Sequence, residues 1–132
     1  MYTLHLSAKI ISIVTLLSVN VALIEGADLY FDFVASYVAG APDGVPVDIL
    51  AANGKFPGPE IRCTLGDTVH VTVTNKVQDR QKRTYPLSVH WHGLLMDGTP
   101  FADGPDYITQ CPIPFGKSYE YVFTPNQTGT YW

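Results

Sequence analysis

Two histidines separated by a single residue, His90 and His92, are the side chains in this sequence best suited to chemistry. Successive strand residues point to opposite faces, so a strand over 87–92 would put both imidazoles on one face. The opposite, apolar face would consist of Leu87, Val89 and Trp91. The two histidine Cα atoms would lie about 6.6 Å apart, twice the rise per strand residue. Imidazole binds zinc, copper, iron and nickel. The pair therefore predicts a site in which both rings bind one metal ion or each binds one of two neighbouring ions.

The pair does not complete a metal site by itself, because zinc takes four ligands and copper usually three or more. Gly93 follows directly and lets another backbone or a ligand come close. Asp97, Asp103 and Asp106 lie just downstream. Carboxylates there can orient imidazoles by hydrogen bonds or relay protons, but Asp-Gly dipeptides also form ordinary turns. The aspartates therefore stay candidates for both roles.

The elements that must position the pair are strands. Gly and Pro interrupt the sequence about every ten residues and no helical periodicity is present, which is typical of an all-β sandwich or barrel. The predicted strands cover residues 28–38, 45–52, 60–64, 68–74, 87–92 and 117–124. The clearest alternation points Val69, Val71 and Val73 inward and leaves His70 alone on a polar face. We therefore expect His70 to be an exposed strand residue and not a ligand. The long loop after Gly93 is predicted to be functional, because long ordered loops in small domains often are.

The N-terminal residues have the features of a secretory signal peptide. Lys9 precedes a mainly apolar run over 10–24, and the small residues Gly26 and Ala27 follow. The run is short for a membrane span, although an uncleaved anchor is the alternative. We predict a leader over residues 1–26 and a secreted domain over 27–132, with no membrane attachment after cleavage.

The net charge, the two cysteines and one glycosylation motif limit the partners and modifications that we expect for this chain. The formal net charge of −4 argues against a nucleic-acid partner, and the few clustered basic residues suit a solvated hairpin loop. Cys63 and Cys111 would enter an oxidising compartment, where they can pair with each other or with cysteines elsewhere. Asn126 begins an Asn-Gln-Thr glycosylation acceptor, which would make the chain a glycoprotein if it is secreted.

Several spaced motifs extend the signal well beyond the histidine pair. They are NGKFPGP at 53–59, HWHG at 90–93, GTPFADG at 98–104, QCPI at 110–113 and GTYW at 129–132. In this combination the sequence resembles the first, plastocyanin-like cupredoxin domain of the multicopper oxidases, the family of laccases, ascorbate oxidases and fungal ferroxidases. The resemblance covers residues 28–132 and implies a Greek-key cupredoxin-like β-sandwich or barrel.

The resemblance also implies a function. Multicopper oxidases oxidise a small reducing substrate, such as a phenol, ascorbate or ferrous iron, one electron at a time at a type 1 copper. Four electrons then reduce O2 to water at a trinuclear cluster. By this resemblance His90 binds the type 2 copper, His92 binds a type 3 copper, and Asp103 assists proton delivery. Cys111 is similar to a cysteine that often forms a disulfide to a later domain.

In the family a second His-x-His follows the Gly-Thr-Tyr-Trp motif, and this sequence ends at Trp132. We therefore expect a fragment or an early-terminated gene model, with a cupredoxin fold incomplete at its C-terminal end. Such a chain should bind copper weakly at best and have no oxidase activity alone. The alternatives are a stand-alone copper-binding or electron-transfer module, for which Met96 and Cys111 are possible ligands, and a non-catalytic secreted β-sandwich.

Overall fold

Residues 26–132 are described by the computed structural model of this protein, and the predicted leader lies outside them except for Gly26. Four strands account for most of the regular structure in this part of the chain. They are β1 (Asp28–Gly40), β2 (Val47–Ala52), β3 (Thr68–Asn75) and β4 (Ser118–Phe123), with a 3-10 turn at Pro100–Ala102 between β3 and β4. The all-β prediction is confirmed, and four of the predicted strands lie within a few residues of their expected positions.

The four strands form one open sheet in the order β2-β1-β3-β4. β1 pairs with β2 antiparallel and with β3 parallel, and β3 pairs with β4 antiparallel. Because strand side chains alternate between faces, the inward residues of β3 and β4 meet on one side of the sheet. Val69, Val71 and Tyr121 there have no exposed surface, and Phe123 has 4%. The period-2 prediction for both strands is confirmed.

The layer over this core is made of extended segments without a ladder. The strands predicted over 60–64 and 87–92 are not regular strands, although Ile61, Leu87 and Trp91 do pack on the core cluster. Residues 87–92 have one isolated bridge, Leu87 to Ile113. Prolines precede and follow Ile113, and a proline has no N–H to extend a ladder. Residues 87–92 therefore keep the side-chain alternation of a strand but, beyond this bridge, lack its backbone hydrogen bonds.

A buried asparagine connects the end of β3 to this layer. Asn75 is fully buried and donates from Nδ2 to the carbonyl oxygens of Tyr85 at 2.7 Å and Ile113 at 2.8 Å. Its Oδ1 accepts from the Val77 N–H at 2.8 Å. Since Ile113 bridges Leu87, Asn75 helps to set the segment that leads to the histidine pair.

His70 lies on the outer face of the sheet, as predicted, but is mostly covered. Its ring stacks on Tyr30 with centroids 4.5 Å apart, and its side chain is 19% exposed. Its nitrogens lie 3.6 Å from Asp28 and 3.3 Å from Glu120. In residues 26–132 no helix has the length and apolar character needed to cross a membrane.

Candidate metal centre

The two histidines of the pair lie side by side and face away from the core. His90 and His92 are exposed, whereas Val89 and Trp91 pack on the core cluster. The imidazole centroids are 5.2 Å apart, with the ring planes tilted by 49°. The indole of Trp91 contacts the rings of Tyr121 and Phe123 and anchors the segment from the opposite side. The sequence prediction that both imidazoles share one face is correct.

The tautomer of His90 follows from its hydrogen bond to Asp103. The Nδ1 of His90 lies 2.7 Å from the backbone carbonyl oxygen of Asp103, which can only accept, so Nδ1 carries the proton and donates. The lone pair of the neutral ring is then on Nε2, which is the form that binds a metal. The Asp103 carboxylate oxygen Oδ1 lies 3.4 Å from the same Nδ1. The predicted residue Asp103 is thus in contact with His90.

A glycine permits this contact. Gly104 has φ of +97°, and a Cβ built there would lie 1.7 Å from the carbonyl oxygen of Val89. Only a residue without a side chain lets the loop approach the His90 backbone this closely. Gly93 plays a similar part on the other side, since a Cβ there would lie 2.4 Å from the Cβ of Tyr131.

The other predicted aspartates do not join the pair. Asp97 lies in a turn, and Asp106 forms an isolated bridge with Gln110. Within the described residues 26–132, no group of three or more His, Cys, Asp or Glu side chains is arranged to hold a metal ion. Within these residues the pair alone is therefore short of a complete metal site. As neutral imidazoles, one with its Nε2 made available, they fit copper.

Two further side chains, Tyr121 and Gln127, contact the histidine segment and were not among the predicted site residues. The Tyr121 hydroxyl accepts from the Val89 N–H at 2.8 Å. Gln127 donates from Nε2 to the Gly93 carbonyl oxygen at 2.8 Å and accepts from the Leu95 N–H at 3.2 Å. One signal was available for Tyr121, because an inward-facing tyrosine must find a partner for its hydroxyl. Burial raises the pKa of Tyr121, so the hydroxyl stays protonated near neutral pH.

The cysteines do not complete the pair either. Cys63 and Cys111 are both exposed and both free, so the predicted alternative in which they form a disulfide with each other is not what the structure has. Pairing with a cysteine elsewhere stays a prediction.

Comparison with known proteins identifies the family. The model of the family described as "Multicopper oxidase" matches residues 35–132. Laccase-2 of Thanatephorus cucumeris is 50% identical over 95 residues, which are 71% of this chain and 16% of that protein. The iron transport multicopper oxidase fetC of Epichloe festucae is 36% identical over 126 residues, 95% of this chain and 20% of that protein. L-ascorbate oxidase of Nicotiana tabacum is 41% identical over 103 residues, 78% of this chain and 17% of that protein.

Solved structures agree with the sequence relatives. The laccase of Botrytis aclada superposes with a TM-score of 0.72 and 32% identity, over 80% of this chain and 19% of that one. Fet3p, a multicopper oxidase that functions in iron import, superposes with a TM-score of 0.70 and 34% identity, over 80% of this chain and 19% of that one. The chain spans 16 to 20% of the length of the curated relatives described above. The cupredoxin-like fold is confirmed, and the chain belongs to the multicopper oxidase family.

Proposed function

We propose that residues 27–132 are the first cupredoxin domain of a secreted copper-dependent oxidase, preceded by a signal peptide over residues 1–26. This oxidase couples one-electron oxidation of a small reducing substrate to four-electron reduction of O2 to water. The observation that carries the proposal is the pair of outward imidazoles, His90 and His92, 5.2 Å apart on a chain of this family. Adjacent imidazoles suit adjacent copper ions.

In this proposal His90 binds the type 2 copper and His92 binds a type 3 copper. Copper, when bound, supplies the one-electron redox chemistry. The chain's own residues orient the ligands: the Asp103 carbonyl keeps the proton of His90 on Nδ1 and leaves Nε2 free to bind. The Asp103 carboxylate, 3.4 Å from that nitrogen and one-third exposed, lies where it can relay a proton between solvent and the site.

Two imidazoles are fewer than a copper site needs, so the other ligands come from outside the described residues. The chain's share of its relatives' length, 16 to 20%, is consistent with this. The isolated chain is therefore expected to bind copper weakly and to have no oxidase activity. A stand-alone type 1 copper module is less well supported, because Cys111 is exposed and the described residues contain no three-ligand group.

The substrate class is that of the relatives, whose names include laccases, an iron transport oxidase and an ascorbate oxidase. We propose a phenol, ascorbate or ferrous iron, with O2 as the second substrate, and no nucleic-acid partner. Secretion would expose Asn126, which is at the surface, to glycosylation.

The first test is a copper(II) titration of this chain followed by electron paramagnetic resonance. His90→Ala and His92→Ala should each lower copper affinity at least about 10-fold, since each removes one of two ligands. His70→Ala is the matched control, because it removes an imidazole on the opposite face of the sheet. Copper binding that survives both alanine variants would contradict the ligand assignment.

The second test concerns the parent oxidase. Sequencing the transcript beyond the codon for Trp132 should reveal a second His-x-His and a distal His-Cys-His. Oxygen uptake with a phenol by the purified, copper-loaded 132-residue chain would instead show that the chain is active alone, against the proposal.

A further inference from the structure

The backbone that carries the two imidazoles has few main-chain partners. The bridge of Leu87 to Ile113 lies at its start. From residue 88 to residue 93 the described structure has one further main-chain hydrogen bond, from the Leu94 N–H to the Trp91 carbonyl. A strand in a ladder is fixed by its neighbours, but this segment is not in one. Its geometry must be set by something else.

Tyr121 of β4 supplies one constraint. It has no exposed surface, and its hydroxyl accepts from the Val89 N–H at 2.8 Å. Its ring lies edge-on against the indole of Trp91, with centroids 5.6 Å apart and planes at 77°. One rigid, buried side chain therefore contacts the residue before His90 and the residue after it.

Gln127, four residues beyond the end of β4, supplies the second constraint. Its amide is used in both directions, as a donor to the Gly93 carbonyl at 2.8 Å and as an acceptor from the Leu95 N–H at 3.2 Å. These two contacts fix the chain immediately after His92. The histidine segment is thus held at both ends by side chains from β4 and the residues that follow it.

We propose that Tyr121 and Gln127 are positioning residues that together hold His90 and His92 in the orientation that binds metal. The inference rests on the proposed function in one respect, that these imidazoles are the copper ligands. Neither side chain is placed to touch the metal. Each acts through the backbone, because a ligand pair must be held to about 0.5 Å of its productive geometry by supporting hydrogen bonds and packing.

The test uses Tyr121→Phe, which removes the hydroxyl and keeps the ring, and Gln127→Leu, which removes both amide contacts. The matched controls are Tyr85→Phe and Gln78→Leu. Their side chains make polar contacts within the loop over residues 76–85, to Asp79 and to the Lys82 carbonyl. All five chains are first shown to be folded by circular dichroism. Copper(II) affinity and electron paramagnetic resonance parameters are then measured, since a purely structural role would not move them in a folded chain.

We expect each site variant to weaken copper(II) binding about 10-fold and to change the resonance parameters, while the controls match the native chain. In the metal-free protein, the Val89 amide of Tyr121→Phe should exchange with solvent faster than in the native chain. The positioning role would be overturned if both site variants keep the native copper affinity and resonance parameters while His90→Ala and His92→Ala abolish binding. If Tyr121→Phe does not fold, Gln127→Leu decides the question, because that side chain is only partly buried.

A failure of the proposed function gives a different result. In that case the native chain's copper binding does not depend on His90 or His92. The positioning role is then tested by the imidazole resonances of the metal-free protein. Imidazole resonances of His90 and His92 that move in both site variants then support positioning. Resonances that coincide with those of the native chain overturn it.

Discussion

At the scale of single residues, the site depends on a backbone atom as much as on side chains. The short contact to His90 comes from the carbonyl of Asp103, and the carboxylate lies farther away, at 2.7 Å against 3.4 Å. Gly104 makes the short contact possible through its close approach to Val89. The sequence predicted the histidines and Asp103, because alternation and motif spacing are properties of the chain itself. The carbonyl contact depends on how a loop folds back, which no residue type reports.

Gly104→Ala should therefore destabilise the chain more than Gly98→Ala. Both glycines have positive φ, +97° and +73°, so both substitutions carry a left-handed strain of about 1 to 2 kcal/mol. A Cβ at position 98 meets nothing within 4 Å, whereas one at position 104 meets the Val89 carbonyl. Urea denaturation should show the larger loss for Gly104→Ala, and the Nδ1 proton resonance of His90 should shift in that variant alone. Equal losses of stability would mean that the close approach is unimportant.

At the scale of elements, side-chain contacts hold the outer layer in place, whereas backbone hydrogen bonds between strands hold the sheet together. The strands predicted over 28–38, 45–52, 68–74 and 117–124 were correct. Those over 60–64 and 87–92 were wrong as strands. For 87–92 the reason is that a ladder needs a partner with free N–H groups, and Ile113 lies between two prolines. The inward and outward faces predicted for 87–92 were still correct, since alternation needs only an extended backbone. The contacts of Tyr121 and Gln127 with the histidine segment were not predicted, because both are long-range in sequence. Only the need of the inward Tyr121 hydroxyl for a partner could be inferred.

Asn75 is the clearest element-scale test. Asn75→Ala would remove the partners of the Tyr85 carbonyl and the Val77 N–H, and would leave the Ile113 carbonyl with only the Leu87 N–H. We expect a loss of roughly 2 to 4 kcal/mol in the free energy of unfolding. Asn126→Ala, at an exposed position, is the control and should change stability by less than about 0.5 kcal/mol. Urea titration with intrinsic fluorescence measures both, and a small effect of Asn75→Ala would show that water replaces the lost contacts.

At the scale of the whole molecule, the Asp67 carboxylate connects the start of the described chain to the entry of β3, beside the pairing of β1 with β3. The N–H groups of Thr64 and Ala27 donate to Asp67 at 2.7 and 2.8 Å, and these bonds lower the pKa of that carboxyl below its ordinary value of 3.8. The motifs predicted the family over nearly this whole span, because they are spaced along the entire domain. The motifs did not predict this contact, because both groups that donate to Asp67 are backbone N–H groups.

Because the folded-state pKa of Asp67 is depressed, its stabilising effect is fully present above pH 3.8 and is lost as pH falls through the lower, folded-state value. Asp67→Asn should be less stable than the native chain at neutral pH, because its Nδ2 cannot accept from a backbone N–H. The difference between the two chains should shrink as the pH drops below about 4. Urea midpoints between pH 2 and pH 7 measure this, and curves that stay parallel throughout would show that Asp67 is not responsible.

The contact between Ala27 and Asp67 has a consequence for maturation. Ala27 is the first residue after the proposed leader, and its backbone nitrogen lies 2.8 Å from the Asp67 carboxylate. Cleavage after residue 26 would turn that amide into a terminal ammonium group, and the hydrogen bond from a neutral N–H to the carboxylate would become an ion pair. If the leader is removed as proposed, this contact would become stronger, and processing would favour the folded form of the domain.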